Sequence, residues 1–414
     1  MRGSVLFVVA CACGSSTTFA PLDSPDDIPR DETRRYTIWL GGSRVGSAIE
    51  SEDWSPTGVV VTRTETLKFL RGDAPIAMTT TIEIDADAAL IPRSVAWTER
   101  GARMRRANAH RDARGWIVNE ERASLSSDAV PAELVPLIVR RDRRFAGDIF
   151  LPARGFVGGH GRIDAVAPAR FVARLALGAT DAIAEATIDL GRDGSPMRVV
   201  DGEGVIAIRA SEAEVRESFA LVDLVAATSI ELTGTRGRVA RMALVGDLAL
   251  PPVPGQAASV RAAGLEVELS ASLPGALPAG PRGDDRTREI AALVARVQHR
   301  IAPDLGAAIA TPRDASSATA GDCTTFALAY AAVAQRSQIP TRVVTGLRVD
   351  GERLSRHRWA VSWTGTKWIA VDAAFGRVPA GGDLIGLAVH DADDAGLIAG
   401  EAALTQVRAA AWTQ

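Results

Sequence analysis

The chain has 414 residues, more than one ordinary domain accommodates, so two or three are expected. An apolar share of 47% with 23% charged residues is that of globular protein and excludes a disordered chain. The formal charge is −3 and no basic block occurs, so no nucleic-acid partner is implied. Lys68 and Lys367 are the only lysines, and arginine carries the rest of the positive charge.

In chain order, Arg2 precedes a short apolar run from Val5 to Ala10 and then small residues, the pattern of an export signal over residues 1–13. Val8-Val9-Ala10-Cys11 resembles the lipobox of bacterial lipoproteins, which implies lipidation at Cys11. Ala12-Cys13-Gly14 is a similar junction and makes Cys13 the alternative. A lipid anchor on the membrane is therefore expected, at the periplasmic face of the outer membrane within the cell envelope, with plain secretion as the other outcome. No other stretch approaches the roughly 18 apolar residues of a membrane helix.

Residues 14–35 are rich in Ser, Thr, Pro and Asp and read as a flexible tether. From Tyr36 onward the hydrophobic pattern has period two, in runs such as Gly58 to Leu70, Met78 to Ile84 and Arg170 to Leu177. Ala186 to Leu190 and Met197 to Val200 flank Gly191-Arg192-Asp193-Gly194 as a hairpin. A mostly antiparallel β-rich domain over 36–256 is the reading. Residues 257–283 follow as a linker with short strands, bounded by Pro251-Pro252-Val253-Pro254 and the proline-rich stretch from Pro274. From Arg286 the period becomes helical: Ile290, Leu293, Val294, Val297 and Ile301 share one face of a helix over 286–301. Residues 284–414 form the last domain.

That domain holds Cys323, the one cysteine outside the signal region. An internal disulfide is thus closed to it. It opens a run apolar nearly all round, from Phe326 to Ala334, with Asp322 suited to the N-cap and Pro340 ending the segment. In the first turn of a buried helix, free N–H groups and the macrodipole favour a thiolate. The backbone N–H of Cys323 is the one oxyanion donor that can be assigned. Three strand candidates follow, Thr341 to Leu347, His357 to Trp363 and Lys367 to Asp372. A two-residue Gly365-Thr366 turn sets 363 opposite 368 and 361 opposite 370, which makes His357 and Asp372 diagonal neighbours on one face. A three-residue loop would put Asp372 on the other face. Thiol, imidazole and carboxylate in this order suit nucleophilic acyl transfer: Cys323 attacks, His357 moves the proton and Asp372 orients the ring.

Gly321-Asp322-Cys323-Thr324, Gln338-Ile339-Pro340-Thr341-Arg342-Val343-Val344-Thr345-Gly346, His357-Arg358-Trp359 and Trp368-Ile369-Ala370-Val371-Asp372 together resemble the bacterial transglutaminase-like superfamily, over roughly residues 285–395. The resemblance implies an α+β papain-like core, in which a cysteine-bearing helix packs on an antiparallel sheet carrying His and Asp. It also implies thiol-dependent acyl transfer on amide bonds of protein or peptide substrates, as peptide hydrolysis, deamidation or crosslinking, without a cofactor. Arg358 stands where a small residue is common, with possible consequences for access to the groove, and Ala373 where proline often follows the aspartate. Gly321 matches a family glycine and, with Trp359 and Trp368, is carried forward as a candidate for the substrate cleft, although core is the stronger expectation for the tryptophans. His390-Asp391-Ala392-Asp393-Asp394 has metal-ligand donors but lacks EF-hand spacing and its closing Glu, so a solvated loop is expected and no metal is assigned. Two other readings are a non-catalytic envelope scaffold with a relic domain and a peptidoglycan peptide hydrolase.

Overall fold

The computed structural model describes residues 31–413, apart from 102–103, 143, 168, 178–182, 191–195, 202–203, 262–263 and 308–311. Cys11, Cys13 and the expected export signal over 1–13 lie outside the described residues, as does the turn expected at 191–194. Among the described residues no helix is long and apolar enough to cross a membrane, which says nothing of strand-built spans. The chain divides into two units between Asp223 and Leu224.

The N-terminal unit is strand-rich. Its fifteen strands form one sheet made of two meanders. One runs from Glu32–Leu40 through Glu121–Arg122, the other from Val130–Pro131 to Val205–Arg209, and they join where Tyr36 faces Arg209. Among its described strands only that at 130–131 pairs in parallel. The first hairpin needs positive φ at both central residues of its two-residue turn, and Gly41 and Gly42 supply it at 58° and 78°. The expected hairpin of 186–190 with 197–200 is present as the antiparallel pair Ile183–Leu190 and Pro196–Val200. The expected tether over 14–35 is corrected at its end, because a strand already begins at Glu32 and Arg34 is buried, while 14–30 lie outside the described residues.

Period two explains the apolar core of this unit, Val59, Val61, Ile82, Ile84, Val95 and Trp97 among others. One row of the same buried face is charged instead. Arg34 bonds Glu50 at 2.8 Å and also Glu52, while Arg63 bonds Glu50 at 3.2 Å and Glu65 at 3.1 Å. Burial pushes the nearby Glu133 carboxyl up to about 7. Removing one member of such a set leaves buried charge without its partner, which is costly. Arg34→Ala should therefore cost the N-terminal unit about 3–5 kcal/mol in urea unfolding followed by tryptophan fluorescence, against a few tenths for an exposed arginine.

The C-terminal unit has a nine-stranded sheet. Its order runs Gln256–Arg261, Gly264–Leu269, Ala240–Gly246, Val407–Thr413, Ile230–Thr233, Arg353–Trp363, Thr341–Asp350 and Leu384–His390, with Trp368–Val371 beside Arg353–Trp363. This corrects the expected boundary at 256. Ile230–Thr233 and Ala240–Gly246 pair with Val407–Thr413, and the former also with Arg353–Trp363, strands far along the chain, while Gly264–Leu269 and Gln256–Arg261 extend the sheet from Ala240–Gly246, so all four belong to this unit. Alternation identifies a strand but not its partner, which is why the sequence pattern assigned them to the preceding domain. The proline-rich stretch before residue 285 is not a free linker either. Trp368 donates to the Pro278 carbonyl at 2.9 Å and Trp363 to that of Pro281 at 2.7 Å.

Helix Thr287–Arg300 buries Ile290, Leu293, Val294 and Val297, the stripe that its period predicts. It lies in one core with the helix Cys323–Arg336 (the cysteine helix), which buries residues on every side from Thr324 to Ala331. Arg353–Trp363 (the histidine strand) separates two cores. Ala360 joins the cysteine-helix side with Ile369 and Val371, while Trp359 and Val361 join Val344, Ala370 and Leu384.

Candidate active site

Each candidate residue is held by a different element. Asp322 caps the cysteine helix, its carboxylate accepting from the Thr325 N–H at 3.1 Å, so Cys323 occupies the first turn. Gly321 is buried just before it, and a Cβ there would meet the Thr325 side chain at 2.1–2.5 Å. It is a close-packing position and leaves no room for a cleft-lining side chain. Cys323 itself is half-buried and is the one free cysteine among the described residues.

The turn after the histidine strand has the two-residue form. Thr364 N–H donates to the Lys367 carbonyl at 2.9 Å, and Trp363 faces Trp368, Val361 faces Ala370, and Ala360 faces Val371. Asp372 is then the next residue beyond the paired strand and lies on the side of His357. The two meet: His357 Nε2 is 3.0 Å from Asp372 Oδ2, with His357 at 6% and Asp372 at 0% exposure.

Sheet pairing leaves this part of the histidine strand open. One edge is paired throughout with Thr341–Asp350. The other pairs with Ile230–Thr233 at residues 353–354 and with Trp368–Val371 at 360–363. Between them, residues 355–359 have no strand partner on that edge among the described residues. Here Arg358 reaches Thr324 in the first turn of the cysteine helix, and Cys323 lies near enough to His357 for each to shift the other's protonation. With Nε2 committed to Asp372, Nδ1 is the ring nitrogen left for the thiol.

The electrostatics follow from these contacts. Burial pushes the Cys323 thiol up, but the bond to His357 and the imidazolium charge outweigh it and hold it below the ordinary thiol value. Burial opposes charge on His357 as well, yet its bonds to Asp372 and Cys323 win and raise it to about 9. Burial would likewise raise Asp372, whereas His357 and Arg377 together hold it below the ordinary carboxylate range. The three shifts thus run in one direction, towards thiolate, imidazolium and carboxylate.

Residues that the sequence did not single out support the aspartate. Arg377 Nη2 donates to Asp372 Oδ2 at 3.0 Å, and its Nη1 reaches both oxygens of Asp383 at 2.9 and 2.8 Å. Asp372 and Arg377 also exchange both backbone hydrogen bonds at 3.0 Å, which closes a tight loop bearing Phe375. Nothing local in Asp372-Ala373-Ala374-Phe375-Gly376-Arg377 signals this closure. Ala373, at the position where proline was expected, is buried in the core.

Arg358 is not at the groove. Its side chain leaves the opposite face of the strand from His357 and is 4% exposed. Nε donates to Thr345 Oγ1 at 2.9 Å, Nη1 to Thr324 Oγ1 at 3.0 Å, and Nη2 to Glu401 Oε1 at 2.8 Å. It thus joins the residue after the thiol, the neighbouring strand and the helix Asp394–Leu404. Burial would raise Glu401, but Arg358 and Arg356 hold it at about 2. Thr345 Oγ1 lies 2.9 Å from His390 Nε2, and His390 Nδ1 lies 2.8 Å from the Asp391 carbonyl oxygen. The expectation of a solvated loop at His390 is overturned: it ends a strand, buried, and Asp393 caps the following helix. Among the described residues no group of three or more His, Cys, Asp or Glu could hold a metal ion.

The tryptophans divide. Trp359 is 1% exposed and lies in the core with its ring stacked near that of His357, centroids 6.0 Å apart, so it supports the imidazole from within and does not line a cleft. Trp368 is half-buried and packs edge-on against Trp363 at 5.8 Å, over the proline-rich stretch.

The family model of the transglutaminase-like superfamily matches residues 279–373, a span that includes Cys323, His357 and Asp372. The chain thus contains a transglutaminase-like core behind a strand-rich N-terminal region. No curated protein and no solved structure matches it.

Two outcomes test this account of the site. Asp372→Asn removes the carboxylate charge, so His357 should titrate well below about 9 when its imidazole is followed by NMR. The raised imidazole stabilises the fold fully below its ordinary value of about 6.5 and loses that contribution as pH rises through about 9, so the variant should lose this alkaline dependence. Arg358→Met leaves Glu401 buried with a weaker partner at 3.8 Å and should cost about 3–5 kcal/mol at neutral pH. Glu401 is depressed in the fold, so its stabilisation is present above about 4.5 and lost as pH falls towards 2. Acid unfolding of Arg358→Met should be correspondingly less steep in that window.

Proposed function

We propose that this chain is an exported thiol-dependent acyl-transfer enzyme, acting on amide bonds of protein or peptide substrates through an acyl-enzyme on Cys323. The observation that carries the reading is the connected set Cys323–His357–Asp372, with a depressed thiol, a raised imidazole and a buried carboxylate 3.0 Å from the ring. A structural cysteine gains nothing from such partners. The placement of the groups supports it: a helix start carries the cysteine, a strand carries His357, and Asp372 directly follows the neighbouring strand.

In the proposed cycle the Cys323 thiolate attacks the amide carbon, and the N–H of Cys323 at the helix start donates to the developing oxyanion. The His357 imidazolium, held charged by Asp372, passes its proton to the nitrogen as the C–N bond breaks and the amine leaves. Neutral His357 then takes a proton from the incoming water or amine, whose attack breaks the C–S bond, and the ion pair is restored. Hydrolysis and transamidation share the acyl-enzyme and differ only in the second nucleophile. We favour a cysteine peptidase or amidase, located in the cell envelope through a lipid on Cys11 or Cys13.

The test is the rate of Cys323 alkylation by iodoacetamide against pH. At pH 6.5 an ordinary thiol of pKa about 8.5 is about 1% thiolate, so the wild type should react up to about 100-fold faster than His357→Ala. An ordinary thiol titration, unchanged in His357→Ala, would leave the domain without an activated nucleophile and defeat the proposal.

A further inference from the structure

Phe375 is an apolar ring left in the open beside the candidate catalytic histidine. It is 50% exposed, and its centroid lies 5.6 Å from that of His357 with the rings tilted by 57°. The ring is held, not dangling. Arg348 Cζ sits 4.1 Å from its centroid and Arg377 Cζ at 5.7 Å. The Phe375 N–H also points to Asp372 Oδ1 at 3.4 Å, so the loop that fixes the aspartate fixes the ring.

Both guanidiniums already have carboxylate partners. Arg377 is taken by Asp372 and Asp383, and Arg348 lies 3.3 Å from Asp350. What remains on offer is therefore apolar ring surface, with little uncompensated charge. A pre-ordered aromatic surface binds an apolar group at low entropic cost, because its own rotamers are already fixed.

Chemistry says which part of a substrate meets it. Whatever acyl group is carried sits on Cys323 Sγ. The nitrogen that leaves, or that attacks the acyl-enzyme, must exchange its proton with His357 and so comes closest to the imidazole. A ring flanking the imidazole meets substituents on that nitrogen before it meets the acyl chain.

Resting on the proposed acyl-transfer reading, we infer that Phe375 is a specificity-determining residue for the amine side of the reaction. It selects leaving and accepting amines that carry an apolar, above all aromatic, side chain. In the step concerned, the amine lone pair forms a C–N bond to the thioester carbon and the C–S bond breaks. His357 takes the amine proton and the thiolate is released.

The experiment acylates the full chain with p-nitrophenyl acetate and measures capture of acetyl-Cys323 by glycinamide and by phenylalaninamide. Nitrophenolate release dependent on Cys323 reports the acyl-enzyme, and its absence would count against the acyl-transfer reading itself. Given that release, phenylalaninamide should capture the acetyl group about tenfold more efficiently than glycinamide in the wild type. The ratio should fall towards one in Phe375→Ala and be largely kept in Phe375→Leu. Because each ratio is taken within one variant, general changes in rate cancel. Equal capture of the two amines by the wild type, no capture of either, or a ratio untouched by Phe375→Ala would overturn the inference.

Discussion

The site depends on one register. The Gly365-Thr366 turn makes Trp363 face Trp368, and every later position follows from it. Strand side chains alternate with period two, so one residue more or fewer would turn Asp372 away from His357. The turn is correspondingly well fixed. Thr364 Oγ1 accepts from the N–H groups of Thr366 and Lys367 at 3.3 and 3.2 Å, and Gly365 has φ 102°. A Cβ at Gly365 would lie 2.4 Å from the Asp284 carbonyl oxygen, so a side chain is excluded there on two counts. A backbone detail of two residues thus decides whether a carboxylate can hold an imidazole.

The second requirement is access from the side. A sheet interior would bury His357 between two paired neighbours and keep any helix dipole above or below the plane. Here the edge over residues 355–359 is free of strand pairing among the described residues. Arg358 is the counterpart on the opposite face from His357, where three hydrogen bonds tie the strand to Thr324, Thr345 and Glu401. Adjacent residues of one strand thus reach the thiol and the residue that follows it, by opposite faces.

Much of this was legible in the sequence because it was local. Helical period located Thr287–Arg300, Asp322 and the all-round apolar run located the cysteine helix, and the glycine-first turn fixed the register. What was not legible depends on partners distant in sequence. The strands from 230 to 269 alternate like those before them, and only their pairing with Val407–Thr413 reveals the unit they join. Arg358 looked like a surface departure because its acceptors lie 13, 34 and 43 residues away. His390 looked solvated because its run of aspartates is polar, although the ring itself turns inward to Thr345. Phe375 and Arg377 gain their roles only from a loop closure that no periodicity announces.

The scarcity of lysine acquires a meaning beside such a thiol. Of 47 basic residues only Lys68 and Lys367 carry an ε-amine, and both are exposed. Guanidinium groups stay protonated far above neutral pH and do not act as nucleophiles there. An acyl group carried on Cys323 would thus find very few acceptors on the surface of its own chain or of an identical neighbour. If the proposed thioester forms, such a molecule would have little tendency to weld itself to its own kind.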